Sequence, residues 1–305
     1  MGIPPGYPVA RPGNSGRPGQ YPGAFPAMPL SAQTSDLFTM DNGALVTESI
    51  HYAKDTFLGK WTRWLIFIIC GLPFALLPFV FDTKKMADAT AFSWEMIPWA
   101  QLAAVCITGL LLSFILSGYL AHVYRGVTPP PEFDNWGPLY IDGIRIAVTG
   151  FLWFIPMFLV IAAMLVTVIA GFSSGSTMPG GLTVALFILL LIIEIIVAII
   201  AVIYSMMGVV RCARTGSIRE GIRFSAITET LRTIGWANYI VALIVILVIG
   251  IVFFVVLGIL SLIPYAGWII QLIVTPFYTI FSARYIARVY DHGVPQPVAA
   301  PAATI

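Results

Sequence analysis

Residues 233–283 read TIGWANYIVALIVILVIGIVFFVVLGILSLIPYAGWIIQLIVTPFYTIFSA, without a single Asp, Glu, Lys or Arg. About 20 apolar residues cross the ~30 Å hydrocarbon layer as one helix. The stretch is therefore long enough for two crossings, and the break at Ser261-Leu-Ile-Pro-Tyr-Ala-Gly267 supplies the turn between them. Lipid offers no hydrogen bonds to a bare backbone, so each crossing must satisfy its own amides as a helix. The fold class follows: an all-α polytopic membrane protein.

A second apolar run extends from Arg145 to Arg211 and encloses one acidic or basic residue, Glu194. Across the chain 59% of residues are hydrophobic and 10% charged, with a mean hydropathy of +0.92. Ordinary soluble domains carry about 25% charged residues, so a large water-facing domain is excluded. Six transmembrane helices are expected, at 64–81, 97–124, 146–170, 182–210, 236–263 and 267–290, arranged as three hairpins. Seven of the eight tryptophans fall near the ends of these segments, as an interfacial aromatic belt requires. Residues 1–45, rich in Pro and Gly, are expected to be a disordered cytoplasmic tail with no signal peptide. The membrane domain then spans 46–292, and 293–305 form a short flexible tail.

Orientation comes from Lys and Arg, which accumulate on the cytoplasmic side of short loops. Fourteen of the 16 basic residues fall on one side of the six-span arrangement, and Lys84 and Lys85 on the other. Both termini are expected in the cytoplasm, and the protein in the cell membrane.

The chain also echoes itself. Gly118-Tyr-Leu-Ala-His-Val-Tyr124 aligns with Arg284-Tyr-Ile-Ala-Arg-Val-Tyr290, and Asp142-Gly-Ile-Arg145 with Glu220-Gly-Ile-Arg223. A threefold hairpin repeat is the expectation, each hairpin preceded by an interfacial segment. One such segment is 217–233, where Ser217 and Glu220 have capping-box spacing. Phe224, Ile227, Leu231 and Ile234 would share one face, leaving Arg219, Arg223 and Arg232 to meet anionic lipid headgroups.

The segment PPPEFDNWGPLYIDGIRIAVTGFLWFIP (129–156), with GYLAHVYRG before it and IFSARYIARVYD (280–291) at the close, resembles an uncharacterised prokaryotic, largely archaeal membrane family, domain of unknown function 4013. The resemblance covers about residues 45–292. It implies a multi-pass membrane protein and brings no catalytic residue with it.

No zinc-protease, serine-hydrolase or phosphate-cradling motif occurs, and the three histidines are never paired four apart. Cys70, Cys106 and Cys212 have no paired spacing and read as apolar packing residues. An enzyme, a metal site, a cofactor and a nucleic-acid partner are not expected. Glu132, Asp134 and Trp136 form an acidic–aromatic cluster that either gathers cations or stiffens a turn. Glu194, near mid-membrane, is the candidate intramembrane polar site, with Gln101 and Gln271 among its candidate partners. The expected function is a non-enzymatic membrane component that binds lipid or a partner. The alternative is a transporter or channel that uses Glu194 as a proton or cation site.

Overall fold

The computed structural model describes residues 40–80, 97–173, 180–263 and 266–293. Residues 1–39 and 294–305 of the expected tails, Lys84 and Lys85, and most of the 171–181 turn lie outside these residues, while 42–45 of the expected N-terminal tail are helical. Among the described residues every element is a helix: α1 (Asn42–Phe57), α2 (Trp61–Val80), α3 (Trp99–Tyr124), α4 (Trp136–Ser173), α5 (Gly181–Thr215), α6 (Ile218–Gly221), α7 (Phe224–Ile234), α8 (Trp236–Ser261) and α9 (Gly267–Gly293).

Helices α3, α4, α5, α8 and α9 are each long and apolar enough to cross a bilayer. The α1–α2 pair, bent by 95°, brings the number to six when it is counted as one span. Local chemistry explains the bend. Asp41 starts α1 by accepting from the Ala44 amide at 3.0 Å. The helix stops at Phe57, and Gly59, at φ +74°, turns the chain into α2. Pro73 remains inside α2 without ending it.

Helices α4 and α5 hold 38 and 35 residues. At 1.5 Å per residue they measure about 57 and 52 Å, well beyond the ~30 Å hydrocarbon layer. Burial divides them. From 151 to 173 and from 181 to 200 they expose Phe158, Leu165, Val166, Leu189, Ile192 and Ile195, so lipid takes the place of a protein core there. Beyond those stretches the same helices are packed. Tyr204, Met207 and Val210 of α5 join Ile227 and Leu231 of α7, Tyr239 of α8 and Tyr285 and Val289 of α9. A second cluster joins Tyr52 and Phe57 of α1 to Phe67 of α2, Tyr119 of α3 and Phe281 of α9. The buried core therefore sits at one end of the bundle, the end that carries the arginines.

Three short segments dock on that end in a similar way. Gly143 of α4 meets α3, where an added Cβ would strike the Phe114 carbonyl and come within 2.9 Å of Gly118 N. Gly221 of α6 meets α5, where a Cβ would stand 2.9 Å from the Gly208 carbonyl oxygen. Fully buried Ser49 of α1 belongs to the segment Glu48-Ser-Ile-His51, which lies on α9. Each segment is acid–small–Ile–basic, and each acid takes an arginine: Asp142 with Arg125, Glu220 with Arg211, Glu48 with Arg284. The local likeness explains the echoes in the sequence, while a threefold repeat of the whole hairpins is not confirmed.

Candidate functional site

The basic end is built from arginines that bind carbonyls and carboxylates at helix ends. The final turn of a helix leaves carbonyls without amide partners. Arg125, just past α3, donates through Nε to the Ala213 carbonyl of α5 at 2.8 Å. Arg214, on α5, donates through Nε to the Tyr124 carbonyl of α3 at 2.6 Å. The two helix ends thus exchange arginines. Arg63 and Arg284 are each only 1% exposed. Arg63 bonds the Pro130 carbonyl at 3.0 Å and the Glu132 carboxylate, tying α2 to the proline loop. Arg284 bonds Glu48 and lies 4.3 Å from the centre of the Tyr52 ring, tying α9 to α1.

The same framework reaches the acidic–aromatic cluster. Glu132 is held by Arg63 and Lys60, and the Arg63 hydrogen bond keeps its carboxyl below the usual 4.5. Phe133 stacks on Tyr119 at 4.7 Å and on Trp136 at 5.8 Å. Asn135 adopts φ +50°, a conformation asparagine tolerates, and its carbonyl accepts from the Leu139 amide as α4 begins. Asp134 is exposed. The turn is thus anchored through Glu132 and Phe133, while Asp134 and Trp136 remain exposed.

The interfacial segment differs from its expected form. One amphipathic helix over 217–233 is replaced by α6 and α7, broken at Ile222 and Arg223. The Ser217 side chain makes no cap bond. Glu220 turns instead to Arg211 at 2.8 Å and Arg223 at 3.3 Å, and the Arg211 hydrogen bond lowers its carboxyl below 4.5. The break lets Gly221 press on Gly208, where the Trp153 indole also donates to the Gly221 carbonyl at 3.0 Å. Ile227, Leu231 and Ile234 do share a face, but that face is buried in protein. Exposed along this stretch are Arg219, Ile222, Arg223, Phe224, Arg232 and Trp236, which form a rim, together with Ser225, Glu229 and Thr233. Arg223 pairs with Glu220, while Arg219 and Arg232 form no ion pair among the described residues.

The rim borders a lateral cleft. Phe224 stacks on Tyr204 at 4.2 Å, and the Thr228 and Tyr204 hydroxyls lie 3.2 Å apart. On either side of Tyr204, Val202, Ile203 and Met206 enter a cleft of about 1070 Å³ between α5, α8 and α9. Its other walls include Leu243, Leu247 and Phe254, and it carries no charged group.

Glu194, Gln101 and Gln271 are not brought together. Glu194 of α5 is half-buried, with Oε2 shielded and without a hydrogen-bond partner among the described residues. Gln101 and Gln271 are exposed. Gln271 lines a separate cavity between α2 and α9. Among the described residues no three His, Cys, Asp or Glu side chains are grouped to hold a metal ion. The Cys212 sulfur accepts from the Thr149 hydroxyl at 3.1 Å inside the α4–α5 packing.

Sequence reasoning missed the roles of Arg63, Arg284 and Glu48. Their one signal was the acid–small–Ile–basic pattern at Glu48, which matches the two segments already aligned. No curated protein and no solved structure matches the chain. A family model does match, over residues 101–262, which covers α3 through α8 and both glycine-sealed junctions. On that match the chain belongs to the family described as protein of unknown function, DUF4013.

Proposed function

We propose that this protein is a non-enzymatic component of the cell membrane that binds anionic lipid at its basic end, with that end and both termini in the cytoplasm. The observation that carries the reading is the rim beside the cleft. There, Arg219 and Arg232, which form no ion pair among the described residues, stand with exposed Ile222, Phe224 and Trp236. Aromatic side chains settle at headgroup depth, and each basic residue near an anionic surface contributes about 1 kcal/mol. The apolar cleft that opens below the rim matches acyl chains, while the arginines match a phosphate. Support for a non-enzymatic role is that the buried arginines and most carboxylates of this end are engaged in holding helices together.

The test uses full-length protein in nanodiscs of phosphatidylcholine with a minor fraction of phosphatidylglycerol. Native mass spectrometry counts the phosphatidylglycerol retained. Replacing Arg219, Arg223 and Arg232 with glutamine should reduce retention by about fivefold per residue, the equivalent of about 1 kcal/mol each. Equal retention of neutral and anionic lipid by the unaltered protein would defeat the reading.

A second reading rests on Glu194, whose Oε2 is shielded and has no hydrogen-bond partner among the described residues. Intramembrane carboxyls are by default functional candidates, and here the role would be a proton or cation site of a transporter. A proton-coupled flux in proteoliposomes that Glu194→Gln abolishes would establish it.

A further inference from the structure

Between α2 and α9, remote from the arginine rim, lies a cavity of about 510 Å³ that also touches Leu116 of α3. Its volume falls within the roughly 300–1,000 Å³ of small-molecule sites, which pair apolar walls with a few placed polar groups. Gly71 and Ala75 hollow the α2 side, and Phe67, Phe74, Phe79 and Trp268 wall it. Phe79 meets Trp268 edge-on at 5.8 Å at the end away from the arginines, and buried Phe67 closes the other end. Phe74 and Phe79 are 48% and 63% exposed, so the cavity is entered sideways from the bilayer.

The polar groups form one line. Gln271, Thr275 and Thr279 are four residues apart on α9 and share a face. Thr275 donates its hydroxyl hydrogen to the Gln271 carbonyl at 2.6 Å, and Thr279 donates to the Thr275 carbonyl at 3.0 Å. Both hydroxyls therefore offer the cavity only lone pairs. The Gln271 carboxamide, unbonded among the described residues, can both donate and accept. No charged side chain lines the cavity. An ionic headgroup would lose its hydration there with nothing to replace it, whereas a hydroxyl meets acceptors at the threonines and a donor at Gln271.

We propose that this cavity binds a neutral lipid whose head is a free hydroxyl, of the diacylglycerol class. The hydroxyl donates to Thr275 or Thr279 and accepts from Gln271, and the chains leave past Phe74 and Phe79 into the bilayer. The site shares no residue with the arginine rim and stands independently of it.

The experiment uses the full chain in detergent with 1,2-dioleoylglycerol as the probe, read by native mass spectrometry. A brominated analogue, tested against a Trp268→Phe control, reports contact through quenching of Trp268 fluorescence. One saturable dioleoylglycerol is expected, and dioleoylphosphatidylglycerol at the same concentration should not displace it. Thr275→Val combined with Gln271→Leu should weaken binding about tenfold, the effect of losing one or two modest hydrogen bonds. Ala75→Leu, which fills the cavity, should abolish both binding and quenching. Glutamine at the three rim arginines should change neither. Displacement by phosphatidylglycerol, or undiminished binding to a folded Thr275→Val, Gln271→Leu protein, would overturn the proposal. If Ala75→Leu does not fold, the polar variant alone decides.

Discussion

Alanine at Gly143 and alanine at Gly150 should move stability in opposite directions, although both positions lie in α4. Glycine in a helix interior costs about 0.5–1 kcal/mol relative to alanine because of the freedom it loses on folding. A Cβ at Gly150 has no atom within 4 Å, so Gly150→Ala should collect that gain in full. A Cβ at Gly143 would fall on the Phe114 carbonyl oxygen, 2.7 Å from its carbon and 2.9 Å from Gly118 N. All three are backbone atoms and cannot rotate aside. With ordinary contact beginning at 3.4 Å, even the carbonyl carbon demands 0.7 Å of separation between α3 and α4. That shift would strain Leu139 against Gly118 and the Arg125–Asp142 pair at 2.6 Å. Overpacking a tight contact costs about 1–3 kcal/mol and occasionally more, so Gly143→Ala should be destabilising even after the helix gain. The assay is thermal unfolding in one fixed detergent, followed by near-UV circular dichroism. Gly150→Ala should unfold above the unaltered protein and Gly143→Ala below it. If Gly143→Ala unfolds at or above Gly150→Ala, the close helix crossing is wrong.

Two arginines that look alike in sequence should behave differently. Arg284→Ala should cost about 1.5–3 kcal/mol for its charge-assisted bonds to Glu48, whereas exposed Arg232→Ala should stay within about 0.5 kcal/mol, both by the same unfolding assay. The carboxyls of Glu132 and Glu220 lie below 4.5 when folded, so the stability they lend is complete above 4.5 and is lost as pH falls through their lower folded values. The part of the unfolding temperature that these two groups supply should therefore hold from neutrality to pH 4.5 and decline below it. The decline should be shallow, since solvent screens both groups, and charge-neutral Glu132→Gln with Glu220→Gln should flatten it further. If Glu194 only packs between helices, Glu194→Gln and Glu194→Leu should both leave ion flux in proteoliposomes at background, and a flux lost in Glu194→Gln alone would contradict that.

The membrane-crossing part of this fold could be read from the sequence because lipid imposes one rule, long uncharged helices, that composition reports directly. Residues 233–283 resolve into α8 and α9 about the expected break. The basic end was harder. Its helices continue out of the apolar run, so α4 begins at Trp136, ahead of the expected 146, and α5 continues to Thr215. Ten residues such as Trp136–Arg145, part polar and part apolar, give no hydropathy signal for the start of a membrane helix. The arginines were visible as a charge asymmetry, but their partners are distant in sequence: Arg284 and Glu48 are 236 residues apart. Spacing alone cannot distinguish a buried, paired arginine from one that faces lipid. The capping-box reading of Ser217 failed for a related reason, because Arg211 on a neighbouring helix competes for Glu220 and wins it. Glu194 was conspicuous because it is alone, but Gln101 and Gln271 are exposed and its Oε2 has no hydrogen-bond partner among the described residues.

The claim that the arginine rim faces the cytoplasmic leaflet is tested most directly by thiol labelling of intact cells. With Cys106 replaced by serine and buried Cys70 and Cys212 retained, one exposed cysteine is placed either at Ser225 of α7 or at Ser261, the far end of α8. A membrane-impermeant maleimide should label Ser261→Cys on intact cells and Ser225→Cys only after permeabilisation. Labelling of Ser225→Cys on intact cells would place the rim on the outer face and contradict the account.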